Sequence, residues 1–219
     1  MPKPKKTIIC IDLDGTLLDS TETYLEAYNR SFELNNLPTR PRAEILKHFG
    51  LPALQIIKTL FPNIPDRKIL KVARDKIEIM LNKTFKLVKP IAGVPEAIEK
   101  LRQKYLIAII SNGLHDEIIA SLKYGGLTSR MFDAIICAQE VAHAKPDADQ
   151  IFMAEKKLGA KAEWMVGDTA YDLIAGKAAG VKTCAVLSGV HSLEKLGAEN
   201  PSLIVQSIAY LPDALFGNL

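Results

Sequence analysis

Six short runs of apolar, largely β-branched residues recur along the chain: Thr7 to Leu13, Tyr105 to Ile110, Ala134 to Cys137, Trp164 to Val166, Val181 to Val186 and Ser202 to Val205. Their hydrophobicity is nearly continuous rather than alternating, which predicts strands buried on both faces. Helical spacing fills the intervals at Val94 to Gln103, His115 to Tyr124, Asp147 to Leu158 and Thr169 to Ala179. Strands alternating with helices imply βαβ units and a parallel sheet.

One stretch breaks the alternation. From Asp19 to about Phe85 the pattern is helical and no strand is expected, with candidate helices at Ser20 to Leu34, Arg42 to His48, Leu54 to Leu60 and Asp66 to Thr84. Pro38, Pro41, Gly50, Pro52, Pro62 and Pro65 punctuate the gaps, since proline lacks an amide hydrogen and glycine frees the backbone. The expected fold is therefore α/β: a Rossmann-like parallel-sheet core from residues 1–18 and 87–219, with an all-helical cap inserted at 19–86. The insert leaves after the first strand, so it should overhang the strand ends where ligands of open parallel sheets bind.

Composition narrows the class. With 219 residues, 48% hydrophobic and 24% charged, the chain can bury a full core and disorder is not expected. A net charge of +3 with scattered Lys and Arg gives no stripe for nucleic acid. The one basic cluster, Lys3, Lys5 and Lys6, reads as a solvated end. No apolar stretch reaches membrane-spanning length, and the Lys-rich start is no signal peptide. Three cysteines, Cys10, Cys137 and Cys184, sit in apolar runs without pairing or CxxC spacing. They read as reduced core thiols, which places the protein in the cytoplasm.

Charge at the strand ends carries the chemistry. Asp12-Leu13-Asp14 closes the first apolar run before Gly15. Two carboxylates together there are costly unless a cation compensates, because like charges repel and desolvation adds to the penalty. Hard oxygen donors with few imidazoles favour magnesium over zinc. Asp168 emerges after Trp164 to Gly167, and Asp172 follows one helical turn on. Helix capping by Asp168 and Thr169 is the competing reading of that pair. Ser111-Asn112-Gly113 ends another strand just before a helix, a hydroxyl and free amides suited to phosphate, although Ser-Asn-Gly is also a common turn. Lys145-Pro146 precedes the helix after it, with the proline placed to suit the first helical turn and aim the lysine.

In order, type and context these residues resemble the haloacid dehalogenase superfamily, specifically its phosphatases with a helical cap, such as phosphoglycolate phosphatases. Asp12-Leu13-Asp14-Gly15-Thr16-Leu17, Ser111-Asn112-Gly113, Lys145-Pro146 and Gly167-Asp168-Thr169 with Asp172 match its four motifs, and the likeness spans essentially the whole chain. It implies a phosphatase acting on a small phosphorylated metabolite, as monomer or homodimer. Asp12 is then the nucleophile and Asp14 the acid and base, with Thr16 holding Asp14. Magnesium is expected on the Asp12 and Asp168 carboxylates and the Asp14 backbone carbonyl. Ser111, Asn112 and Lys145 are expected to bind phosphate, supported by Gly113 and by Asp172, which orients Lys145 or a metal-bound water. Two departures stand out: Ala148 replaces a frequent second proline, and Ser111 replaces a frequent Thr.

Rival functions leave marks in the same residues. A phosphosugar mutase of this family tends to carry a basic residue after the cap-loop glycine, but Gly50 is followed by Leu51-Pro52-Ala53. Dehalogenases lack the second aspartate. Pyrophosphatase and nucleotidase activities fit the same core and stay open. A phospho-receiver is shorter and has no insert, and a silent binding protein fits poorly with every catalytic position filled. Lys47, His48 and Leu51 flank the cap turn where specificity is expected. His115 and His143 read as solvent-facing or hydrogen-bonded, with a place for His115 at the pocket mouth as the alternative, and Tyr24, Tyr28 and Phe32 read as core packing of the first cap helix, whose upper end could contact a leaving group.

Overall fold

The computed structural model describes residues 6–217. Lys3 and Lys5 of the basic cluster lie outside them, while Lys6 is exposed and donates to the Arg102 carbonyl. The chain runs β1 (Thr7–Ile11), β2 (Leu18–Asp19), α1 (Thr21–Leu34), α2 (Arg42–Leu46), α3 (Ala53–Leu60), α4 (Asp66–Ile79), β3 (Lys89–Pro90), α5 (Val94–Arg102) and β4 (Tyr105–Ile110). It continues α6 (His115–Tyr124), β5 (Ala134–Ile136), α7 (Asp149–Leu158), β6 (Ala162–Gly167), α8 (Ala170–Ala178), β7 (Lys182–Val186), α9 (Leu193–Gly197), β8 (Leu203–Val205) and α10 (Leu211–Phe216).

All six apolar runs become strands of one parallel sheet, ordered β5-β4-β1-β6-β7-β8. Side chains of a strand alternate between faces. In β1, Ile9 and Ile11 join the cluster containing Ile98 of α5 and Ile118 of α6, while Ile8 and Cys10 join Ile151 of α7 and Ala175 of α8. Both faces are thereby covered, which is why the run is apolar throughout. After β1 the chain builds outward through β4 and β5, then crosses to β6 on the other flank. That reversal opens a crevice at the carboxyl ends of the central strands.

The segment between β2 and β3 is helical, as its pattern predicts. Pro41, Pro52 and Pro65 stand immediately before α2, α3 and α4. Leu25, Tyr28, Phe32, Ile57, Phe61 and Val72 form a separate apolar cluster among these helices. Two short strands flank the segment: Leu18↔Pro90 and Asp19↔Lys89 pair antiparallel, tying the outgoing chain to the returning one. The last helix is also less regular than its spacing suggests, since α4 ends at Ile79 and widens into a π-helical turn at Met80–Thr84.

Pro146 corrects another expectation. The following helix begins at Asp149 with Ala148 at its N-cap, so the proline lies outside the first turn and the Lys145–Pro146 bond is cis. Lys145 is aimed by side chains instead: its N–H donates to Asn112 Oδ1 and Gln150 Oε1, both at 3.1 Å.

Candidate active site

Asp12, Asp14, Thr16, Ser111, Lys145, Asp168 and Asp172, all flagged in the sequence, converge where β1, β4 and β6 end. Asp12 still donates its N–H to the Val166 carbonyl at 2.9 Å, so its side chain leaves the sheet at the crevice. Gly15 then turns the chain at φ 91°, and a Cβ there would lie 2.5 Å from Asp168 Oδ2. Both the backbone and the space demand glycine.

Lys145 is buried, and its ammonium donates to Asp12 Oδ1 at 2.5 Å, Asp172 Oδ1 at 2.6 Å and the Ile110 carbonyl at 2.9 Å. Its three donors are all used. Burial alone would lower its pKa, but the Asp12 and Asp172 carboxylates overturn that and raise it above the ordinary lysine value. Asp172 takes the Thr169 N–H at 2.9 Å and hydroxyl at 2.6 Å on its other oxygen, completing the capping box of α8. The capping role thus falls to Thr169 and Asp172, and Asp168 is left facing Asp12.

Asp168 accepts from Thr16 Oγ1 at 3.1 Å and from the Val190 N–H at 2.9 Å. Thr16 therefore holds Asp168 and not Asp14, a correction that follows from the tight turn folding residue 16 back against the end of β6. Asp14 points the other way, its carboxylate accepting from Ser20 Oγ at 2.6 Å and Tyr24 Oη at 3.2 Å. Tyr24, favoured from sequence as packing on a helix whose upper end could contact a leaving group, therefore reaches the site.

Carboxylate oxygens of Asp12, Asp168 and Asp172 lie within 4.8 Å of one another, all buried. Burial, opposed by Lys145 and reinforced by Asp172, Asp168 and Asp14, holds the Asp12 carboxyl well above its usual range. Burial and then Asp172 push Asp168 up to about 7. Burial also raises Asp14, against the hydrogen bonds from Ser20 and Tyr24. Asp12 and Asp168, hard oxygen donors with excess negative charge, fit a divalent cation; Asp172 is instead committed to the Lys145 ammonium and the α8 cap.

Above this floor lies a cavity of about 70 Å³ whose lining includes Ser111, Gly113, Tyr24, Phe49, Gly50 and Leu51. Ser111 is buried and accepts the Gly113 N–H at 3.1 Å. Asn112 lines the same cavity, and its side-chain amide donates to the Gly50 carbonyl at 2.7 Å and the Lys145 carbonyl at 2.8 Å. Of the three cap-turn candidates Leu51 lines the cavity, and Lys47 and His48 are not among its lining residues. His115 and His143 are exposed. Two charged lining residues went unread in the sequence, Lys76 and Glu117, which form a buried ion pair at 2.6 Å.

The sequence pattern of the haloacid dehalogenase-like hydrolases matches residues 9–186, and the chain belongs to that family. Pyrophosphatase PpaX of Halalkalibacterium halodurans is 28% identical over 210 residues, covering 94% of each chain. Pyrophosphatase PpaX of Oceanobacillus iheyensis is 30% identical over 203 residues, covering 91% of this chain and 92% of its own. The crystal structure of a hydrolase from Pseudomonas syringae superposes with a TM-score of 0.87 at 22% identity, covering 98% of this chain and 99% of that one. Among the described residues no helix is long and apolar enough to cross a membrane.

Proposed function

We propose that this hydrolase is a magnesium-dependent phosphatase that cleaves a small phosphate monoester through an aspartyl-phosphate intermediate, with residues 19–86 as a cap over a core of 1–18 and 87–219. The observation that carries this reading is the opposite orientation of two neighbouring carboxylates. Asp12 faces Lys145 on the floor, 2.5 Å away, and Asp14 faces Tyr24 of the cap.

An Asp12 oxygen attacks phosphorus as the bond to the leaving oxygen breaks, and Asp14 gives that oxygen its proton. Burial keeps the Asp14 pKa raised, which suits an acid near neutrality. Water then attacks the aspartyl phosphate, Asp14 takes the proton, and Asp12 is regenerated as phosphate leaves. Lys145 and Ser111, with backbone amides near Asn112, neutralise charge on the phosphoryl oxygens. The Asp12 and Asp168 carboxylates and the Asp14 backbone carbonyl would hold magnesium. When bound, the ion supplies Lewis-acid stabilisation of the phosphoryl charge and relieves the repulsion between the two carboxylates.

The names of the two bacillary relatives favour a second reading, hydrolysis of inorganic pyrophosphate, since the same floor would serve a phosphoanhydride. Three free, buried cysteines support a cytoplasmic setting. Release of inorganic phosphate from a panel of monoesters and pyrophosphate, with magnesium or chelator, tests the reading. Turnover that survives chelation would remove the ion from the proposal.

A further inference from the structure

Ile69, Val72, Ala73 and Met80 mark the buried stripe of α4 and its π turn, and Lys76 occupies that stripe, 1% exposed. Its ammonium donates to Glu117 Oε1 at 2.6 Å and lies 4.9 Å and 5.4 Å from the ring centroids of Tyr24 and Tyr28. Glu117 is anchored on the opposite side of the cavity. It is the third residue of α6, its Oε2 accepts the Leu114 N–H at 2.9 Å, and the helix N-terminus favours its negative charge.

Both residues line the cavity beside Asp14, where the leaving group of a phosphoryl transfer must sit. Apart from Asp14, this end of the cavity carries one positive and one negative charge, paired with each other. The Lys145 charge on the floor is already matched by Asp12 and Asp172. Phe49, Leu51, Ala53 and Ile56 make the remaining wall apolar. A leaving group bearing a phosphate or carboxylate would have to draw Lys76 away from Glu117. The glutamate, held by its own helix, would then stay as a buried, uncompensated charge facing the incoming anion. An uncharged alcohol leaves the pair intact and can place a hydroxyl on either member. At about 70 Å³ the cavity lies far below the roughly 300–1,000 Å³ of drug-sized sites, so the alcohol is compact.

We propose that the Lys76–Glu117 pair is the specificity element of the site, selecting phosphate monoesters of compact, uncharged alcohols over substrates with an anionic leaving group such as pyrophosphate. The proposal rests on the phosphatase reading above. Hydroxyethyl phosphate and phosphoglycolate share a two-carbon alcohol and differ in charge, so their kcat/KM ratio with the magnesium-loaded full chain isolates the effect. The wild type is expected to favour hydroxyethyl phosphate over both phosphoglycolate and pyrophosphate by about tenfold or more. Glu117→Gln keeps the capping acceptor, frees Lys76, and should move the ratio toward both anions by about tenfold.

The double variant Lys76→Met/Glu117→Gln carries no unpaired buried charge, so the test survives if the single variant misfolds. It should discriminate against anions at least as strongly as the wild type. A wild type that prefers either anionic substrate, a Glu117→Gln ratio unchanged within about threefold, or a double variant that gains anion preference overturns the proposal. Absence of phosphate release from every substrate, p-nitrophenyl phosphate included, would defeat the phosphatase reading itself. Hydrolysis without charge discrimination defeats this inference alone.

Discussion

The floor of the site and its roof treat buried charge in opposite ways. On the floor three carboxylates, Asp12, Asp168 and Asp172, surround one cation, Lys145. In the roof one lysine meets one glutamate, Lys76 with Glu117. The floor is left with surplus negative charge and raised carboxyl pKa values, which suits a divalent cation. The roof is balanced before anything binds. Imbalance marks the place where charge moves during a reaction; balance marks the place that chooses what the charge is attached to.

The comparison breaks most completely at Asp12. Asp12→Asn removes the proposed nucleophile and should lower kcat by on the order of 10⁴-fold or more, read as phosphate release from p-nitrophenyl phosphate. Next comes Asp14, which stands between floor and roof. Asp14→Asn should cost about 10²–10⁴-fold with alkyl phosphates, and far less with an aryl phosphate whose leaving group needs no proton. Equal losses on both substrates would take the acid role away from it.

The floor's surplus charge also has a stability signature. Asp168 is held up to about 7 in the folded chain, chiefly by burial, against an unperturbed 3.8. A carboxyl raised on folding contributes stability below its unfolded pKa, and that contribution is lost as pH climbs through the folded value. Chelated protein should therefore lose on the order of a few kcal/mol from this group between about pH 4 and 7, and magnesium at pH 8 should restore it. The difference in Tm between wild type and Asp168→Asn, followed across pH, isolates the group; parallel curves would rule out the surplus.

The smallest effect belongs to Tyr24→Phe. Its hydroxyl favours the charged form of Asp14, so the variant should raise the Asp14 pKa further. The alkaline fall of kcat/KM for alkyl phosphates should then move to higher pH, with a change of only about threefold to tenfold at pH 7. Movement toward lower pH contradicts the assignment.

Part of the floor was readable in the sequence because its residues interrupt a pattern, while Lys145 and Asp172 stood out only by their place among the ordered motifs. Asp12, Ser111 and Asp168 follow directly on apolar runs, and parallel strands bring such ends to one edge whatever the loops do. Partners across loops were harder to read. Thr16 lies two residues from Asp14, yet the turn at Gly15 carries it to Asp168. Asn112 reads as a phosphate ligand, and nothing in its sequence context announces that its side chain also bonds two backbone carbonyls. The roof was nearly silent, because lysine and glutamate on helices ordinarily face water. One signal was present at Lys76, a charge at the position where Ile69, Val72, Ala73 and Met80 demand an apolar residue. Glu117 carries the weaker mark of a helix-start glutamate, which caps many helices that bind nothing.

Asn112 has a consequence for turnover. One amide hydrogen holds the cap loop at Gly50, whose φ of 95° and close approach to Thr169 and Tyr171 let that loop settle over the floor. The other amide hydrogen and the amide oxygen hold the Lys145 backbone. If the loop lifts to release product, only the first of these bonds is cut, and water replaces it at a net expense of about 0.5–1.5 kcal/mol. The grip on Lys145 is untouched. Opening the door and dismantling the machinery are therefore separate events, and each catalytic cycle begins with its charges already in position.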